Sequence, residues 1–138
     1  MELMRWARTR LQDSRGQSMI EFALVMPILL LLVFGVTEFS RAWMTLNVIT
    51  AAAREGARVA VVTGPDTDAV NARVNEVCAA ARVVPTSIAV AGPDPADVDR
   101  RVTVTVETDF RVLSAQVLGA FSGTLPLRAA AVMRHESF

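Results

Sequence analysis

The sequence predicts an α+β protein in which a long N-terminal transmembrane α-helix packs on a small head with a second helix and about three antiparallel strands. Three observations support this prediction. Residues Phe22–Thr37 are sixteen consecutive residues without a charge. Apolar residues then continue at helical spacing to Val62, and segments of the C-terminal half alternate apolar and polar residues. A chain of 138 residues has room for one small domain and a tail.

The apolar run predicts a membrane span. Residues 18–37 reach about the 20 residues that a bilayer-spanning helix needs. Because the run is apolar on all faces, a membrane helix fits better than the core helix of so small a domain. The preceding segment carries four arginines, Arg5, Arg8, Arg10 and Arg15. This excess of positive charge predicts a cytoplasmic N-terminus and an extracytoplasmic C-terminal part.

An apolar stripe predicts that the same helix continues beyond the membrane, over about 17–62. Its members recur every three or four residues: Phe39, Trp43, Leu46, Ile49, Ala53, Gly56 and Ala60. The Gly and Pro of residues 63–65 then provide a stop signal. Gly56 and the neighbouring alanines permit another backbone to approach closely. Arg54, Glu55 and Arg58 have spacings that suit ion pairs, either within the helix or between subunits.

Residues 63–138 are predicted to form the head. A second helix follows the N-cap candidates Asp66 and Thr67, with Pro85 as its stop signal. Strands are predicted at 87–91, 101–110 and 125–136, whereas 110–121 suits either a short helix or a loop. We expect an antiparallel sheet with one face covered by the long helix.

The composition disfavours several classes of function. The formal net charge is +0, which argues against nucleic-acid binding through phosphate neutralisation. The chain has no Lys, which excludes a P-loop, so a partner must perform any energy-consuming step. Cys78 is interpreted as a buried thiol and His135 as part of a solvated tail, and these interpretations fit better than a catalytic Cys–His pair. The acidic residues Asp66, Asp68, Asp94, Asp97 and Asp99 are typical of turns, although their oxygens could in principle hold Ca²⁺. We therefore predict no enzymatic activity, no cofactor and no metal site.

The stretch Gly16–Val62 resembles the N-terminal signature of TadE-like proteins, a family that includes TadF-type members. These are pseudopilin-type subunits of the tight-adherence (Flp) pilus, a type IV-like system. The features that match are Gly16 with Glu21, Pro27 inside the apolar run, Glu38 at its end, and the AAREGAR stretch at 52–58.

The resemblance implies that a prepilin peptidase cuts between Gly16 and Gln17 and removes residues 1–16 as a cytoplasmic leader. Glu21 would become the fifth residue of the mature chain. The α-amine of a neighbouring subunit, shifted by about 6 Å, would then reach its carboxylate and set the assembly register. Pro27 suits either a bend made on assembly or an ordinary membrane-helix proline.

The resemblance also implies a function. The expected protein is a minor pilin or pseudopilin-type structural subunit that contributes to pilus assembly and adhesion. Its partners would be the membrane, the prepilin peptidase, other pilin subunits and the Tad inner-membrane machinery with a separate ATPase motor. The expected location is the cell membrane, as a single-pass protein, and the pilus after assembly. The alternative is an uncleaved, membrane-anchored assembly or secretion factor that does not polymerise.

Overall fold

The computed structural model describes residues 14–64, 66–92, 100–113 and 123–134. Within these ranges the elements follow in the order helix α1 (Ser14–Thr63), helix α2 (Thr67–Ala80), and strands β1 (Ser87–Ala91), β2 (Arg101–Arg111) and β3 (Thr124–Arg134). The predicted α+β arrangement is thereby confirmed. Most of the ambiguous stretch at 110–121 lies outside the described residues.

The chain divides after Thr37 into two compact units. The first unit contains the apolar part of α1. The second unit, Glu38–Phe138, is called the head unit below and contains the remainder of α1 with the other four elements. In sequence, the head unit therefore begins where the uncharged run ends.

The three strands form an antiparallel sheet in the order β1-β2-β3. Val104 at the centre of β2 lies opposite Val90 of β1 and Ala131 of β3. Val102, Val104 and Val106 are fully buried, as their alternation with polar residues predicts.

One hydrophobic core joins the sheet to both helices. Helix α1 contributes mainly small side chains, α2 contributes two valines and Cys78, and the sheet contributes valines and Ala129. The members buried to at least nine-tenths are Ile49, Ala52, Ala53, Ala57, Ala60, Val70, Val74, Cys78, Val102, Val104, Val106 and Ala129. The small residues of α1 keep this helix close to its neighbours, which allows a head of this size to form a continuous core.

The sequence signals at the helix ends act as expected, with one difference. Gly64 follows α1 with a φ of +81°, and the Asp66 side chain accepts a hydrogen bond from the N–H of Asp68 at 3.1 Å. However, α2 ends at Ala80, earlier than Pro85 alone predicts. The chain reverses through Arg82, whose φ is +57°, and this turn brings Val83 against the core.

The apolar stripe on α1 lies on a continuous helix, as predicted, but its first two members are not buried. Phe39 and Trp43 are 68% and 57% exposed, although Ile49, Ala53 and Ala60 of the same stripe are fully buried. The two aromatic rings stack on each other at a centroid distance of 6.2 Å. Helical spacing predicts which residues share a face, but it does not say where along the helix the covering head begins.

Candidate functional site

The expected cleavage position lies in the first turn of α1. Gly16 and Gln17 are the third and fourth residues of the helix, and both are exposed. Helix ends open more readily than helix interiors, so a protease could reach this bond by unwinding less than two turns. The arrangement is compatible with processing at this bond, which stays a prediction.

Glu21 lies one turn after Gln17 and is also exposed. The Gln17 side-chain amide donates a hydrogen bond to the Glu21 carboxylate at 3.4 Å, an i,i+4 relation. The backbone nitrogen that cleavage would turn into an α-amine thus belongs to the residue one turn below this carboxylate. The proposed register contact instead needs the amine of another subunit.

The segment after Glu21 exposes its apolar side chains on every face. Except for the half-buried Phe34, the large hydrophobic residues from Met19 to Val36 retain between 44% and 76% of their surface. Helix α1 continues through Pro27, and it is long and apolar enough to cross a membrane. An exposed apolar surface of this length suits contact with lipid or with other protein subunits.

The AAREGAR stretch on α1 packs inside the head unit. Gly56 is buried, and a Cβ at this position would lie 2.7 Å from a γ-methyl of Val74 and 3.2 Å from one of Val104. Only a glycine lets α1 lie this close to α2 and β2 at once. The close approach predicted from the small residues therefore occurs within one chain.

The charged residues of the same stretch lie on the surface. Glu55 pairs with Arg58 at 3.6 Å and, across to α2, with Arg73 at 3.3 Å. Arg73 also pairs with Glu76 at 2.9 Å, and the hydrogen bonds that Arg73 donates to Glu76 and Glu55 raise its pKa. Arg54 is exposed. Of the three predicted charges, Glu55 has contacts inside the molecule that link the two helices.

A cluster of contacts that the sequence did not predict connects the start of the head unit to the end of β2. The Glu38 carboxylate accepts a hydrogen bond from the Leu113 N–H at 2.7 Å and pairs with Arg41 at 3.0 Å. The Arg41 guanidinium lies over the Phe110 ring, 5.2 Å from its centroid. The i,i+3 spacing of Glu38 and Arg41 was visible in the sequence, but their partners at the end of β2 were not.

The N-terminal part of the chain is similar to a known protein family. Residues 16–58 match the model of the TadE-like protein family. The matched segment covers under a third of the chain and includes Gly16, Glu21, Pro27, Glu38 and the AAREGAR stretch. No curated protein and no solved structure gives a significant match. The TadE-like segment indicates a pseudopilin-like protein associated with a Tad pilus, and its apolar helix indicates a single-pass membrane anchor.

The remaining candidates lie outside the TadE-like segment. Cys78 is fully buried, and burial raises the pKa of its thiol, which keeps it in the unreactive neutral form. Asp66 caps α2 and Asp68 lies in its first turn. His135, Asp94, Asp97 and Asp99 lie outside the described residues. Among the described residues, no three His, Cys, Asp or Glu side chains are grouped to hold a metal ion.

Proposed function

We propose that this protein is a minor pseudopilin-type structural subunit of a Tad pilus, which is cleaved after Gly16 and contributes to pilus assembly and adhesion. The TadE-like match over residues 16–58, which includes both Gly16 and Glu21, carries the proposal. In this function the prepilin peptidase, other pilin subunits and the Tad inner-membrane machinery with its ATPase motor are its partners.

The exposed apolar surface of α1 supports assembly through this helix. Moving residues 18–37 from lipid into a bundle of similar helices exchanges one apolar environment for another, so little hydrophobic free energy is lost. Extraction by a separate motor is then feasible. The head unit has its own core within one chain, so it does not need the filament in order to fold.

Glu21 supplies the register in this proposal. A carboxylate costs roughly 2.5–3.5 kcal/mol at the centre of a bilayer and less towards its edge. Pairing with the α-amine of a Gln17 in the next subunit would offset this cost at one axial offset only, because a shift by one helical turn separates the charges. Arg54, exposed on α1, is a further candidate for contact between subunits.

The first experiment is mass determination of the intact protein purified from native membranes. A chain that begins at Gln17 supports the proposal. A chain that still begins at Met1 refutes the filament-subunit function and favours the uncleaved membrane-anchored factor.

The second experiment tests assembly separately from processing. Glu21→Ala should leave cleavage and the melting temperature of the head unit unchanged, because Glu21 lies in the other unit. The variant should nevertheless be lost from the sheared pilus fraction. Glu76→Ala is the matched control, since it removes an exposed carboxylate from α2 and should assemble normally. Normal incorporation of Glu21→Ala would refute the register function.

A further inference from the structure

A basic pocket opens on the head unit close to the start of its helix. It has a volume of about 270 Å³ and lies between the beginning of α1 in this unit, the turn after α2 and the end of β2. Arg41, Arg82 and Arg111, one from each of these segments, line it together with Asp109. Three arginines from separate parts of the sequence thus meet at one place, which we call the arginine pocket.

The charges of the arginine pocket leave an excess of positive groups. Arg41 is paired with Glu38, and Asp109 adds a second carboxylate, so the three arginines leave one net positive charge. Arg82 and Arg111 are exposed, and neither has an acidic partner among the described residues. Two guanidinium groups are therefore free to donate hydrogen bonds to an anion, and the planar guanidinium suits phosphate oxygens.

The surroundings of the arginine pocket suit a membrane surface. Val84, in the turn that carries Arg82, is 80% exposed. Phe39 and Trp43 lie on the face of α1 opposite to Arg41, where they stack with most of their surface exposed, and they follow the apolar run by only two and six residues. Aromatic side chains are enriched at the membrane–water interface, and basic side chains beside exposed apolar ones are typical of surfaces that bind anionic lipid.

We propose that the arginine pocket binds the phosphate group of an anionic membrane lipid in the leaflet next to the head unit. Arg82 and Arg111 donate to the phosphate oxygens, Arg41, which is paired with Glu38, lines the same pocket, and the Phe39–Trp43 pair lies among the headgroups. The inference goes beyond the pilus function. It rests on residues 18–37 crossing a membrane, and not on cleavage or polymerisation.

Lipid retention by the full chain tests the proposal. The protein is purified in detergent micelles that contain phosphatidylglycerol or phosphatidylcholine, and bound lipid is counted by mass spectrometry of the intact complex. We expect selective retention of phosphatidylglycerol. Arg82→Gln/Arg111→Gln should weaken it by about a hundredfold, because each lost hydrogen bond to a charged group lowers affinity by about tenfold and the variant removes a donor at two positions.

The matched control is Arg100→Gln/Arg134→Gln. It removes the same number of charges at the other end of β2, about 30 Å away at 3.3 Å per residue. Arg100 also shares the positive φ of Arg82. An equal loss of lipid in the control would overturn the proposal, because retention would then depend on net charge alone.

Two further measurements separate the ligand from its alternatives. Arg82→Gly suits the positive φ at this position, so it should lose phosphatidylglycerol without lowering the melting temperature. Equal retention of phosphatidylcholine would overturn the proposal. Displacement of phosphatidylglycerol by inorganic phosphate at equal concentration would also overturn it and would assign the arginine pocket to a soluble phosphate.

Discussion

Gly56→Ala is the substitution whose effect the packing of the head unit predicts most directly. In an ordinary helix interior this change stabilises by roughly 1 kcal/mol, because alanine loses less backbone entropy than glycine. Here the new methyl group would meet γ-methyl groups of Val74 at 2.7 Å, Val104 at 3.2 Å and Val70 at 3.3 Å. Real Cβ atoms essentially never approach other atoms as closely as the first of these distances, so α1 or its neighbours must move.

The loss of stability expected for Gly56→Ala depends on how far the surrounding valine side chains can move. All three valines are fully buried, and Val70 and Val74 lie in α2, where a valine strongly prefers a single χ1 rotamer. Overpacking of such a core costs typically 1–3 kcal/mol, and three simultaneous contacts place Gly56 at the upper end. After subtracting the propensity gain, we expect a net destabilisation of about 1–2 kcal/mol, or roughly 4–16 °C in melting temperature for a unit of this size.

The assay is thermal unfolding followed by circular dichroism of the full chain in detergent micelles. Gly35→Ala is the control, since a Cβ there would meet nothing within 4 Å and the head unit should melt unchanged. Gly56→Ala/Val74→Ala should cost less than the sum of the two single changes, because each relieves the other's misfit. A rise in melting temperature for Gly56→Ala, or strict additivity in the double variant, would refute this account of the packing.

Two other predictions concern the head unit. Glu38→Ala removes the carboxylate that accepts the Leu113 N–H and pairs with Arg41, so we expect about 1–2 kcal/mol of lost stability in chemical unfolding, whereas Glu38→Gln retains an acceptor and should lose less. Cys78 should resist a maleimide in the folded protein and react once denaturant is added. Burial raises the pKa of the Cys78 thiol in the folded protein, so the thiol is more acidic in the unfolded protein, where its pKa is about 8.5. The protonated thiol therefore contributes its full share to folding stability below the unfolded pKa, and this contribution is lost as pH rises through the folded pKa. A pH scan of the melting temperature should show this decline, and Cys78→Ala should abolish it.

The parts of the fold that local periodicity specifies were predictable from the sequence. Alternation in β2 identified Val102, Val104 and Val106 as the buried face because successive strand residues point to opposite sides. The small-residue spacing on α1 predicted a close approach at Gly56 for a similar reason. In each case the signal lies within a few residues of the feature.

The parts that depend on distant partners were not predictable. The contacts of Glu38 and Arg41 were not predicted, because the Leu113 N–H and the Phe110 ring come from more than 60 residues further along the chain. The arginine pocket was not predictable for the same reason. Its three segments are far apart in sequence and are brought together by the antiparallel sheet and by the early end of α2. Patterns within a single sequence do not show which distant segments come into contact.

The TadE-like segment contains two groups of residues with different structural roles. From Gly16 to Pro27 its side chains are exposed, and the fold of the head unit does not use them. From Glu38 to Arg58 it supplies the Glu38 hydrogen bonds, the buried Gly56 and the Glu55 link to α2, all of which serve the head unit itself. Substitutions in the first group should therefore impair assembly while the head unit still folds, whereas substitutions at Glu38 or Gly56 should lower stability first and assembly only as a consequence.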